Sequence, residues 1–208
     1  MDNDTTKCGP EDSKAPDEQK LGPTQHATPE LNPDDLALLH QIYTYSVECL
    51  AIDGQLPPTA YVRVGASPLM PGLKTGEISA VVMQMPESIE DKDYAVKTLR
   101  QCAHSLDADM LLLVVESWRV PFSPEEAQRI RETGVFVRPS QDPRRIEVVS
   151  ISVQKPGGHI WTACVAIRRD LNGRPSIPAG PPQLRYSREA TGRYANLLDG
   201  NGDHPSRS

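Results

Sequence analysis

Between residues 36 and 50 the apolar positions Leu36, Leu39, Tyr43, Val47 and Leu50 return every three or four residues, which draws one face of a helix. Asn32-Pro33-Asp34-Asp35 supplies its start: an asparagine to cap, a proline whose missing N–H costs nothing in the first turn, and two acids at the positive end of the helix dipole. Gly54 and Pro57-Pro58 end it. Residues 59–65 (Tyr61, Val62, Val64) and 77–85 (Ile78, Val81, Val82, Met83) switch to β-type composition and predict a hairpin. Its long connection carries Leu69, Met70 and Leu73 among prolines and glycines. These side chains are expected to fold back on the domain; the alternative is an edge for a partner or ligand.

A second helix is predicted from Ser88, as N-cap, with Ile89, Val96, Leu99, Cys102, Ala103 and Leu106 on its apolar face. Residues 110–115 are apolar without a break, which requires burial on both faces and predicts a central strand. Ser123-Pro124-Glu125-Glu126 is a capping box that opens a short helix ending near Gly134. Residues 146–154 and 159–168 form a hairpin around Lys155-Pro156-Gly157-Gly158. The order α-β-β-α-β-α-β-β predicts an α+β fold: one small domain, a mostly antiparallel sheet of about five strands, and two main helices on one face.

Composition sets the boundaries of that domain. Five of the 20 prolines lie in residues 1–33 and five in residues 171–208, and neither end has a sustained hydrophobic period. Residues 1–31 are expected to be a disordered acidic tail, residues 32–170 the core, and residues 171–208 a mostly disordered Pro/Arg-rich tail with a weak helical hint near 188–198. Charge sharpens the division. Residues 1–35 hold nine acids against three bases and account for the whole net charge of −6, so the core is close to neutral. That argues against phosphate-driven nucleic-acid binding, which needs a basic face. Cys8, Cys49, Cys102 and Cys164 have no CxxC spacing, and the last three fall on apolar-patterned elements, where a free thiol behaves as a small buried hydrophobe. The start of the chain lacks the pattern of a signal peptide, and no apolar run approaches the length of a membrane span. A cytoplasmic protein without membrane attachment is expected.

Chemistry has few footholds. Glu116 shares a strand face with Leu112, Val114, Trp118 and Val120. A carboxyl in apolar surroundings gains proton affinity and can act as a general acid or base. The other reading is an ion pair, with Arg144 or Arg145 as partner, which would lower that affinity. His159 follows the glycine turn on the same face as Trp161 and could serve as a base or a metal ligand, but a surface or edge histidine is the plainer reading. His26, His40, His104 and His204 have no metal-ligand spacing. HExxH, GxSxG, P-loop and GxGxxG motifs are absent, so no metal or cofactor is expected.

Glu116-Ser117-Trp118 followed by Asp142-Pro143-Arg144-Arg145-Ile146-Glu147 resembles uncharacterised bacterial, plasmid and phage proteins with a "(S)EAW…DPxRxE" core, with Ser117 in place of the usual Ala. The resemblance spans about 60 residues. It implies a prokaryotic, mobile-element protein and brings no catalytic residues with it. The leading expectation is a non-enzymatic accessory or protein-interaction module with an unidentified protein partner. One alternative is a small hydrolase or transferase using Glu116 with His159 or Arg145. A second is a nucleic-acid-associated factor using the cluster Arg168, Arg169, Arg174, Arg185, Arg188 and Arg193.

Overall fold

The computed structural model describes residues 29–83, 89–135, 139–178, 180–188 and 194–199. The expected N-terminal tail therefore lies outside the described residues except for its last three. Among the described residues eight strands and three α-helices follow in the order α1 (Pro33–Asp53), β1 (Thr59–Arg63), β2 (Ile78–Val82), α2 (Ile89–Ser105), β3 (Met110–Arg119), α3 (Pro124–Thr133), β4 (Ile146–Lys155), β5 (His159–Ala166), β6 (Arg168–Arg169), β7 (Pro175–Ser176) and β8 (Arg185–Ser187). One antiparallel sheet runs β2-β1-β3-β4-β5-β8, and β6 and β7 form a separate two-stranded ribbon. The α+β class is as expected, with one strand more than the five predicted.

Local chemistry sets the helix ends. Asn32 Oδ1 accepts the Asp35 N–H at 2.8 Å, and Gly54 closes α1 at φ 76°, its N–H donating to the Leu50 carbonyl. Ser123 and Glu126 form the reciprocal capping box of α3, which ends on Gly134 at φ 67°. The predicted cap Ser88 lies outside the described residues.

The unbroken apolar run of β3 is explained by its place third in the six-stranded sheet. Met110, Leu112 and Val114 pack with α1, Val149, Ile151, Val153 and Trp161. Leu111 and Leu113 pack with Ala60, Val62 and the α2 residues Val96, Leu99 and Ala103. Alternate residues of a strand face opposite ways, so α1 and α2 cover opposite faces, rather than the single face expected. Counting apolar runs gives the number of layers only when both faces of the central strand are assigned a cover.

The stretch after Asp170, expected to be a mostly disordered tail, contributes a short edge strand. β8 pairs with β5 through Ile160↔Ser187, Trp161↔Tyr186 and Thr162↔Arg185. Residues 194–199 form a turn, not a helix. The buried Gln154 holds that turn, donating from Nε2 to the Tyr194 carbonyl at 2.6 Å and accepting the Leu197 N–H at 2.9 Å. Leu197 is buried in the α2-side core. Asp199 Oδ1 caps the β4–β5 turn through the Gly157 and Gly158 N–H groups. Two side-chain acceptors and one buried leucine thus offset an ordering cost that composition alone could not balance. At the other end, Leu31 is buried and the Trp161 Nε1–H donates to the Pro29 carbonyl at 3.1 Å, so the ordered core begins before residue 32.

Candidate functional site

In the β3–β4 register Glu116 faces Val149 and Trp118 faces Glu147, so Glu116 and Glu147 are diagonal neighbours on the α1-covered face. The chain leaves β5 with the Ile167 N–H donating to the Glu147 carbonyl at 2.9 Å, which delivers Arg169 to the two carboxyls. Arg169 Nη2 donates to Glu116 Oε1 at 3.0 Å and to Glu147 Oε1 at 2.5 Å. Its Nε donates to Glu147 Oε2 at 2.7 Å, making that pair bidentate. Nη1 reaches the carbonyls of Gly54 and Gly173. The second Glu116 oxygen accepts the Leu56 N–H at 2.9 Å from the turn after α1.

One arginine therefore serves two carboxyls, and serves them unequally. Burial, and then the neighbouring Glu147, push the Glu116 carboxyl above its ordinary range, against the Leu56 N–H and the Arg169 charge. Glu147 is held below its ordinary range, first by the Arg169 hydrogen bonds. Glu116 does meet an arginine, but not Arg144 or Arg145, and its proton affinity rises where the ion-pair reading has it fall. The register explains the first difference: the pairing ends at Arg119 and Ile146, so Arg145 lies beyond the ladder, while Glu116 faces Val149 well inside it. Burial first, and then the crowding of a second carboxylate, explain the other.

Arg145 lies over the Trp118 ring at 4.7 Å from its centre. Arg144 lies over Phe122 at 5.8 Å and pairs with Glu126 and Asp142 at 2.8 and 3.0 Å. Trp118, Phe122 and Ile146 are all exposed. The end of the β3–β4 ribbon thus presents aromatic rings backed by guanidinium groups.

His159 is elsewhere. It faces Lys155, six residues along β4 from the Val149 that faces Glu116, a separation of about 20 Å. Its Nδ1 lies 2.9 Å from the Tyr186 hydroxyl, and its ring stacks near Trp161 and Tyr186. Glu116, His159 and Arg145 therefore do not converge. A cleft of about 650 Å³ beside α1 is lined by His40, Tyr43, Glu48, Ile177 and Pro181 among others, and includes none of the three.

The arginines proposed for nucleic acid are also divided. Arg169 is engaged by Glu116 and Glu147. Arg185 sits on β8 opposite Thr162, Arg168 is on the β6–β7 ribbon, and Arg193 lies outside the described residues. Cys164 is exposed, and Cys49 and Cys102 are half-buried, so the thiols are less covered than their apolar pattern suggests. Among the described residues no group of three or more His, Cys, Asp or Glu side chains could hold a metal ion, and no helix is long and apolar enough to cross a membrane.

A second charged cluster has no signature in the sequence. Asp35, fully buried on α1, accepts from Arg63 Nη1 at 2.7 Å and Lys155 Nζ at 2.6 Å, and Arg63 also holds Asp109 at 2.6 Å. Burial acts to raise the Asp35 carboxyl, but the hydrogen bonds from Lys155 and Arg63 outweigh it and hold it below its ordinary range. Its position in the first helical turn reads as a dipole acid; only the sheet register brings the two cations to it. No protein-family model matches the chain, and neither a curated protein nor a solved structure matches it.

Proposed function

We propose that this protein is a cytoplasmic, non-enzymatic accessory module that binds another protein through the exposed end of the β3–β4 ribbon. The observation that carries this reading is the pair of exposed aromatic–guanidinium contacts, Trp118 with Arg145 and Phe122 with Arg144. Trp and Arg are enriched among the residues that dominate the energetics of protein interfaces, because each buries a large area and retains a polar or charged handle. Stacking presets these rings, so less order is lost on binding. The separation of Glu116 from His159 also favours binding over catalysis, since a general acid and its partner must lie within hydrogen-bond reach of one substrate. The resemblance of the Glu116–Glu147 stretch to proteins of plasmids and phages supports a prokaryotic, mobile-element setting.

The test is affinity capture from a bacterial lysate with the parent chain and with a Trp118→Ser, Phe122→Ser double variant matched for melting temperature. The expected result is a defined set of proteins retained by the parent and lost from the variant. Retention of the same set by both would place binding elsewhere and overturn the proposal.

A further inference from the structure

The six-stranded sheet ends on β2, which pairs on one side with β1. The Val64 N–H donates to the Glu77 carbonyl at 2.8 Å and the Met83 N–H donates to the Pro58 carbonyl at 2.7 Å. Backbone direction alternates along a strand, so residues 77, 79, 81 and 83 turn their peptide groups toward β1. Ile78, Ala80 and Val82 then turn both N–H and C=O to the open edge, where no described strand receives them.

Soluble proteins guard such an edge with lysine, proline, a bulge or an inward charge. Residues 78–82 read Ile-Ser-Ala-Val-Val and contain none of these guards. Ala80 and Val82 are exposed, Val82 at 67%. Their side chains lie on the α1-covered face, since Ala80 is opposite Tyr61. Tyr45, exposed on α1, neighbours Tyr61. In the β1–β2 connection Leu69 and Met70 are exposed, whereas Leu73 packs against the α2-side core as expected and the Leu69 N–H donates to the Ser105 carbonyl. The edge is unguarded and its outward residues are apolar.

We infer that β2 pairs with β2 of a second copy of this chain, antiparallel about a two-fold axis through Ala80. The sequence fits itself in that register. A small residue lies on the axis, and Ile78 of each copy faces Val82 of the other, a β-branched pair of the kind that stabilises adjacent strands. Because Ile78, Ala80 and Val82 all turn their peptide groups outward, each of the three pairings exchanges two main-chain hydrogen bonds, and the junction joins the two sheets into one. A charged residue anywhere between Ile78 and Val82 would meet an apolar strand or its own copy; there is none. An isologous contact of this type closes on itself and stops at the dimer. It rests on the β2 edge alone and not on the β3–β4 surface.

Sedimentation equilibrium of the full chain over a dilution series tests the inference, with three variants that leave the β1 ladder intact. Ala80→Pro removes one outward N–H, a substitution that an edge strand tolerates when that N–H faces solvent. Val82→Lys and Ile78→Glu each place a charge on the edge. The parent is expected to dimerise reversibly, and each variant to dimerise at least about tenfold more weakly. Mixing the Val82→Lys and Ile78→Glu chains should restore dimers, because the register sets position 82 of one chain opposite position 78 of the other and so pairs the two introduced charges. A parent that stays monomeric at every concentration overturns the inference, and so does a dimer that Val82→Lys leaves undiminished. Equimolar mixtures that remain monomeric would overturn the Ala80 register.

Discussion

At one end of the α1-covered sheet face a single buried carboxylate, Asp35, is held by two cations, Arg63 and Lys155. At the other end a single cation, Arg169, is held by two carboxyls, Glu116 and Glu147. Burial disfavours the charged form in both places, yet Asp35 is pulled below its ordinary range while Glu116 is pushed above it. The difference is one of stoichiometry. Two donors to one acceptor over-compensate desolvation, whereas one donor shared by two acceptors satisfies the bidentate partner, Glu147, and leaves the other short. Burial first, and then the neighbouring Glu147, account for the raised Glu116 carboxyl.

The largest effect is expected at Asp35. Replacing it with Asn strands Lys155 and half of the Arg63 pairing against a buried site, and should cost about 2–4 kcal/mol by chemical denaturation at neutral pH. A smaller loss is expected for Glu147→Gln, about 1–2 kcal/mol, because Arg169 keeps Glu116 and two backbone carbonyls.

Glu116→Gln should have the smallest effect, with a sign that depends on pH. A carboxyl with folded-state affinity above its unfolded value contributes stability that is complete below the unfolded pKa and lost as pH rises through the folded one. The parent should therefore lose ground against Glu116→Gln as pH rises out of the carboxylate range toward neutrality. Asp35 and Glu147 act oppositely: both are held low, so their contribution is present above the ordinary carboxylate range and lost as pH falls through their lowered values. Parallel melts of parent and Glu116→Gln across the acid-to-neutral range measure the first effect. A parent that gained on the variant with rising pH would show that Arg169 outweighs Glu147 at Glu116.

How much of this is legible in the sequence depends on the range over which each feature is set. The caps at Asn32 and Ser123, the central strand at Met110 and the hairpin around Gly157-Gly158 are local, and periodicity with turn chemistry finds them. The sixth strand escapes such a reading because three residues of Arg-Tyr-Ser carry no periodicity; the edge of β5 orders them from outside. The site is half visible. Strand parity places Glu116 and Trp118 on one face, but choosing among Arg144, Arg145 and Arg169 requires a register that no local pattern gives. The positions 145 and 147 share parity, so the stack of Arg145 on Trp118 and the pairing of Glu147 follow from that register, while Arg169 depends on where the chain goes after β5.

Arg169 is the clamp that ties Glu116 and Glu147 together. The most direct measurement is a double-mutant cycle at neutral pH, comparing urea unfolding of the parent, Arg169→Met, Glu147→Gln and the double variant. Arg169→Met should cost about 1–3 kcal/mol, since it leaves two carboxyls facing each other without a cation. Glu147→Gln in the same chain should recover most of that loss, giving strong non-additivity. An Arg169→Met protein as stable as the parent, or losses that merely add in the double variant, would contradict that role.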